Sequence, residues 1–166
     1  MDKGTQKEGL KIEEKGSSSL DELIASIEGT ISREESEIYT EKTLEEAYNP
    51  KNVGELRNPD GAARVIGPCG DTMQMQIKVD GDYIKASKFI TDGCGASIAC
   101  GSVVTEMVKG KTIEEAFNVE DKDILSALGG LPEENLHCSV LAVNTLRAAL
   151  EDYNNKKRVK KQEEKR

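Results

Sequence analysis

Residues 72–81 read TMQMQIKVDG, and the apolar Met73, Met75, Ile77 and Val79 alternate there with Gln74, Gln76, Lys78 and Asp80. Successive side chains of an extended chain point to opposite faces, so this period of two predicts a strand with one face on a core and the other in water. Asp80-Gly81 then supplies a tight-turn signal, because glycine takes positive φ without steric penalty. Tyr83 to Thr91 reads as the returning strand of an antiparallel hairpin, and a third strand is expected near Ala63 to Ile66.

Beyond this hairpin the spacing changes. Ala96, Ala99, Val103 and Met107 recur at helical intervals up to Lys109-Gly110. Thr112 to Phe117 and Asp121 to Leu128 suggest two shorter helices, the first capped by Thr112 with Glu115 three residues on. Gly129, Gly130 and Pro132 interrupt the chain before a long last helix from about Ser139 to Tyr153 or beyond, striped by Val143, Leu146, Leu150 and Tyr153. Upstream, Glu37 to Tyr48 is helical in pattern until Asn49-Pro50 stops it, and a loop follows to about Arg64. Strands early and helices late predict an α+β domain, a small three-stranded antiparallel sheet covered by helices on one face.

The ends read differently. Residues 1–36 are rich in Lys, Glu, Ser and Gly and lack any aromatic anchor, which predicts a largely disordered extension. Within it Leu20, Leu23, Ile24, Ile27 and Ile31 could form a short amphipathic helix. The domain proper is expected over residues 37–155. Residues 156–166, KKRVKKQEEKR, form a basic tail with seven positive and two negative groups on a chain of net charge −8; a solvated helix end accounts for it.

The overall acidity argues against nucleic acid, whose phosphates an acidic surface repels. No apolar run approaches the ~20 residues that span a bilayer, and the first residues lack the apolar stretch of a signal peptide, so a cytoplasmic protein is expected. In a reducing compartment, four cysteines are read as free thiols or metal ligands before disulfides.

Three of those cysteines stand at breaks in the pattern: Cys69 in GPCGD, Cys94 in DGCG and Cys138 in LHCS. Glycine around Cys69 and Cys94 frees the backbone to wrap a bulky inorganic group and to aim N–H groups at anionic sulfur. Cys94 and Cys138 also come just before predicted helices, where the positive end of the macrodipole lowers a thiol pKa and primes it as ligand or nucleophile. Asp71 lies two residues after Cys69, and the single histidine, His137, adjoins Cys138. Gaps of 25 and 44 residues between the three cysteines match no compact zinc or ferredoxin pattern, so their convergence depends on the fold. Cys100, inside the predicted helix, reads as core packing.

At these residues the sequence resembles the IscU/NifU-type iron-sulfur cluster assembly scaffolds. The stretches YNPKNVGEL, GPCGDTMQMQIKVD, FITDGCGASIACGS, VTEMVKGKT and LHCSVLAVNTLRAAL occur in family order between about Ile38 and Tyr153. The resemblance implies that Cys69, Cys94 and Cys138 converge at one end of the domain with Asp71 and His137 beside them. It implies a scaffold, not an enzyme, that takes sulfur from a cysteine desulfurase, combines it with iron and passes a 2Fe-2S or 4Fe-4S cluster to apo-proteins. Zinc in place of iron is familiar for the family. By the same resemblance Cys138 is the persulfide acceptor, Asp71 keeps the cluster labile, and Asp71 and His137 compete for the fourth ligand position.

The resemblance is to the N-terminal scaffold module alone. Leu131-Pro132-Glu133-Glu134-Asn135 stands where many members carry a Leu-Pro-Pro-Val-Lys chaperone-recognition segment, and its two acidic groups argue against the usual Hsp70-type chaperone. Two other classes use the same residues. One is a zinc-bearing module that modulates a desulfurase without holding a cluster, since thiolate and imidazole suit zinc as well as iron. The other is an enzyme with Cys138 as nucleophile and His137 as its base, disfavoured because adjacent side chains usually point apart.

Overall fold

The structure, a computed structural model, describes residues 17–165. The chain separates into two units, residues 1–35 and 36–166. In the first, helix α1 (Ser17–Ile38) begins and carries Leu20, Leu23, Ile24, Ile27 and Ile31 as exposed side chains. The disorder expected of residues 1–36 falls in part on residues 1–16, which lie outside the described residues.

In the second unit, α2 (Glu41–Tyr48) is a separate helix and does not continue the helical pattern from Glu37. The reason is local: Thr40 takes extended backbone, and its Oγ1 accepts the Thr43 N–H at 3.1 Å, which starts a new helix with its own cap. Asn49 closes α2 ahead of Pro50.

Strands β1 (Gly61–Ile66), β2 (Thr72–Asp80) and β3 (Tyr83–Thr91) pair antiparallel in that order, with Met75 opposite both Ala63 and Phe89. Met73, Met75 and Ile77 are fully buried on one face of β2, joined by Ile84 and Phe89 of β3. That face is covered by α3 (Gly95–Met107) and α6 (Leu136–Glu163), which supply Val104, Leu141, Leu146 and Leu150 to the same core. Asp152 on α6 accepts the Ala62 N–H at 2.9 Å, so the last helix is tied to the edge strand as well as packed on it.

The opposite face is not simply solvated. Gln74, Gln76 and Lys78 are half-buried because the loop before β1 lies over them: the Leu56 N–H donates to Gln76 Oε1 at 2.6 Å and Lys78 Nζ to the Asn58 carbonyl at 2.9 Å. Polar strand residues thus satisfy the backbone of a loop that has no ladder of its own.

Helices α4 (Ile113–Phe117) and α5 (Asp121–Leu128) complete the layer. Thr112 and Glu115 form the expected capping box. A 3-10 turn at Glu133–Asn135 leads straight into α6, which starts at Leu136, ahead of the expected Ser139, and runs to Glu163. Among the described residues no helix is long and apolar enough to cross a membrane.

Candidate functional site

Three connections meet at the end of the sheet where β1 turns into β2. In the first, the Gly67 N–H bonds to the Asp71 carbonyl at 2.8 Å and the Gly70 N–H to the Gly67 carbonyl at 3.0 Å. Gly70 holds φ +91°, a region that side-chain-bearing residues rarely adopt, and the resulting tight turn leaves Cys69 exposed. In the second, β3 passes through Asp92 and Gly93 to Cys94, the N-cap residue of α3, also exposed.

Thr72 stitches these two connections together. Its N–H donates to Asp92 Oδ1 at 2.6 Å, and its carbonyl accepts from Thr91 Oγ1 at 2.7 Å. Asp71, one residue earlier, is thereby held beside the start of α3, where its Oδ2 accepts from Ser97 Oγ at 3.1 Å. The approach requires glycine at 93, because a Cβ there would stand 2.6 Å from Asp71 Oδ2 and 2.6 Å from Ser97 Cβ.

The third connection is the 3-10 turn and the first turn of α6, which bring Asn135, His137 and Cys138. Asn135 is fixed by the Tyr39 hydroxyl, which donates to its Oδ1 at 3.0 Å, and its Nδ2 lies 3.9 Å from Cys94 Sγ. Cys138 is completely enclosed, with its Sγ 3.3 Å from Ser97 Oγ and 3.6 Å from His137 Nε2.

Ser97 is therefore the meeting point. Its hydroxyl oxygen lies 3.1 Å from Asp71 Oδ2, 3.3 Å from Cys138 Sγ and 3.9 Å from Cys94 Sγ. Four of the residues singled out in the sequence, Asp71, Cys94, His137 and Cys138, are linked through it or through Cys138, while Cys69 stands at the turn above. Among the described residues, no three His, Cys, Asp or Glu side chains close tightly enough to enclose a metal ion as they stand. The donor set itself fits iron or zinc, with soft thiols, an imidazole and a carboxylate at one end of the fold.

Two expectations are corrected here. Cys138 does not precede its helix but sits within the first turn, and burial pushes its thiol up to about 11, against the lowering contributed by the Ser97 hydrogen bond. Desolvation outweighs the helix terminus, so this thiol is not primed as it stands. Second, adjacent His137 and Cys138 do not point apart: the imidazole folds back to within 3.6 Å of the sulfur. A buried, protonated thiol is still a poor nucleophile, and the pair gains no catalytic weight from that contact.

Cys100 is buried in the core and its thiol is pushed far up by burial, as a packing residue should be. Two residues went unnoticed in the sequence. Ser97 could have been found from its place three residues after the capping Cys94, on the same side of the helix start. Glu46 could not. It is an acidic residue on a short helix, yet buried, accepting from Ser102 Oγ of α3 at 2.5 Å and from Lys51 Nζ at 2.9 Å.

A helix-backed, three-stranded domain that gathers cysteines, a carboxylate and an imidazole at one end has the donor set that soft and borderline metals take. The chain belongs to the NifU-like N terminal domain family, which it matches over residues 38–160. It is 47% identical over 118 residues to the iron-sulfur cluster assembly scaffold protein IscU of Aquifex aeolicus, covering 69% of this chain and 75% of that one. With the protein of the same name from Escherichia coli it shares 44% over 127 residues, 74% of this chain and 98% of the relative. Among solved structures, the N-terminal part of a nitrogen-fixing NifU-like protein from Brucella abortus has the same fold. Its TM-score is 0.57 at 22% identity, over 71% of this chain and 95% of that chain.

Proposed function

We propose that this chain is a scaffold on which an iron-sulfur cluster is built from iron and desulfurase-derived sulfur and then passed to apo-proteins. The observation that carries the reading is its identity of 44–47% to relatives named as iron-sulfur cluster assembly scaffolds, over nearly the whole of the folded unit. In this reading Cys69, Cys94 and Cys138 are the thiolate ligands of the cargo, with Asp71 or His137 as the fourth. The cluster is the cargo, 2Fe-2S or 4Fe-4S, and zinc can take the place of iron in the same donors. The relatives' names favour a scaffold over a zinc-bearing module that only modulates a desulfurase.

The chemistry asked of the protein is modest. A thiolate of the scaffold attacks the outer sulfur of a desulfurase persulfide; a new S–S bond forms on the scaffold and the desulfurase cysteine leaves as thiolate. An external electron donor then reduces the sulfur to sulfide as ferrous iron binds. Cys69 and Cys94 are open to such a donor, whereas Cys138 receives sulfur only when the first turn of α6 moves off Ser97. Glu133 and Glu134, exposed on the turn before α6, present negative charge where the usual Hsp70-type chaperone would dock, and the reading does without it.

Anaerobic incubation with a cysteine desulfurase, cysteine and ferrous iron tests this directly. The expected outcome is an acid-labile chromophore with the Mössbauer spectrum of a cluster, transferable to an apo-ferredoxin and lost in Cys94→Ala. Stoichiometric zinc with no transferable cluster would establish the regulatory module instead. If Cys69→Ala, Cys94→Ala and Cys138→Ala each still assembled the same cluster, the ligand assignment would fail.

A further inference from the structure

Resting on the scaffold reading, we propose that Ser97 is a positioning residue whose hydroxyl keeps the cargo's place, gathering Asp71, Cys138 and Cys94 around itself until metal displaces it.

Ser97 is the third residue of α3 and fully buried. Buried hydroxyls on helices ordinarily bond to a carbonyl one turn back. Thr105 and Thr145 on α3 and α6 do so, at 2.7 Å each to the carbonyls of Gly101 and Leu141. Ser97 instead turns its hydroxyl into the site, toward Asp71 Oδ2 at 3.1 Å and Cys138 Sγ at 3.3 Å. Glycine at 93 lets the carboxylate press close against it.

The hydrogen bonds of Ser97 suit only a site whose ligands are not turned to metal. A serine hydroxyl has one proton to give. Its oxygen stands within donating distance of two acceptors, Asp71 Oδ2 at 3.1 Å and Cys138 Sγ at 3.3 Å. Asp71 and Cys138 are both candidate ligands in the scaffold reading, and neither can turn to a metal while it accepts from Ser97. Loading therefore requires the hydroxyl to rotate away and give up a charge-assisted hydrogen bond. Ser97 opposes metal capture and favours release, which is the behaviour useful in a carrier.

The test compares Ser97→Ala with the wild type and with Ser102→Ala, which removes another buried hydroxyl from the same helix but at the Glu46 contact, away from the site. Zinc affinity is measured by competition with a chromogenic chelator, and metal-free stability by thermal unfolding. Ser97→Ala is expected to bind zinc about tenfold or more tightly, the worth of one hydrogen bond to a charged group. Its metal-free melting temperature is expected to fall. Ser102→Ala should lower the melting temperature and leave zinc affinity unchanged, so stability loss alone cannot mimic the effect. Affinity equal to or weaker than wild type in Ser97→Ala would overturn the proposal. A wild-type chain that takes neither zinc nor a cluster would instead bring down the scaffold reading on which it rests.

Discussion

Gly93→Ala isolates the close packing of the site. The residue's φ is not positive, so alanine is conformationally permitted, and the whole effect comes from space. The added methyl would lie 2.6 Å from Asp71 Oδ2, 2.6 Å from Ser97 Cβ and 2.7 Å from Ser97 Oγ, where ordinary contacts are 3.4–4 Å. Asp71 and the start of α3 must therefore part by most of an ångström, and overpacking of that kind costs roughly 1–3 kcal/mol. For a domain of this size the melting temperature should drop by about 3–15 °C. The hydrogen bond between Ser97 and Asp71 should be lost with it, and metal uptake altered. Gly95→Ala is the internal control, because its Cβ would meet only the Ala47 methyl at 3.7 Å, and alanine suits the first turn of a helix. Circular dichroism melts and a zinc competition titration on both variants decide the matter. A Gly93→Ala protein that melts and binds as the wild type does, or a Gly95→Ala protein that suffers equally, would refute the packing argument.

Two further outcomes are expected. Against the cost of burial, the Ser102 hydroxyl and the ammonium groups of Lys51 and Lys42 hold the Glu46 carboxyl down to about 2, from an ordinary 4.5. A lowered carboxyl pKa adds stability that is complete above the unfolded value and is lost as pH falls toward the folded one. Glu46→Gln should thus cost up to about 3 kcal/mol at pH 7 in urea unfolding. The gap to wild type should narrow by about 2 kcal/mol at pH 3, and a gap constant from pH 7 to 3 would exclude the network. In alkylation followed by peptide mass spectrometry, Cys69 and Cys94 should react first, with Cys138 and Cys100 protected until the chain unfolds. Early labelling of Cys138 would mean that the first turn of α6 is not closed over it.

Much of the frame was legible in the sequence because it is written in local periods. The alternation from Met73 to Val79 and the Asp80-Gly81 turn give the hairpin, and the Thr112 and Glu115 pair gives the start of α4. Cys69 and Cys94 were legible as loop residues for the same reason, since their glycine neighbours break both periods. What escaped depends on contacts distant in sequence. Cys138 looked primed because a helix follows it, but its environment is set by Ser97, 41 residues away, and by burial that no local pattern announces. The polar face of β2 looked solvated because nothing in Gln74, Gln76 and Lys78 says that a loop will lie over them. Nothing local sets Glu46 apart, because its partner Ser102 lies 56 residues further on.

The site's sulfurs come from the β1–β2 turn, the cap of α3 and the start of the last helix, and no two of the three share an element. During synthesis the first two emerge well before α6 can cover them. Contacts so far apart along the chain form only as the fold completes. A truncated or half-made product therefore presents open thiols and lacks the side of the site that His137 and Cys138 of α6 bring to Ser97. In the scaffold reading, a complete site is thus itself a report that the last helix has been made and docked.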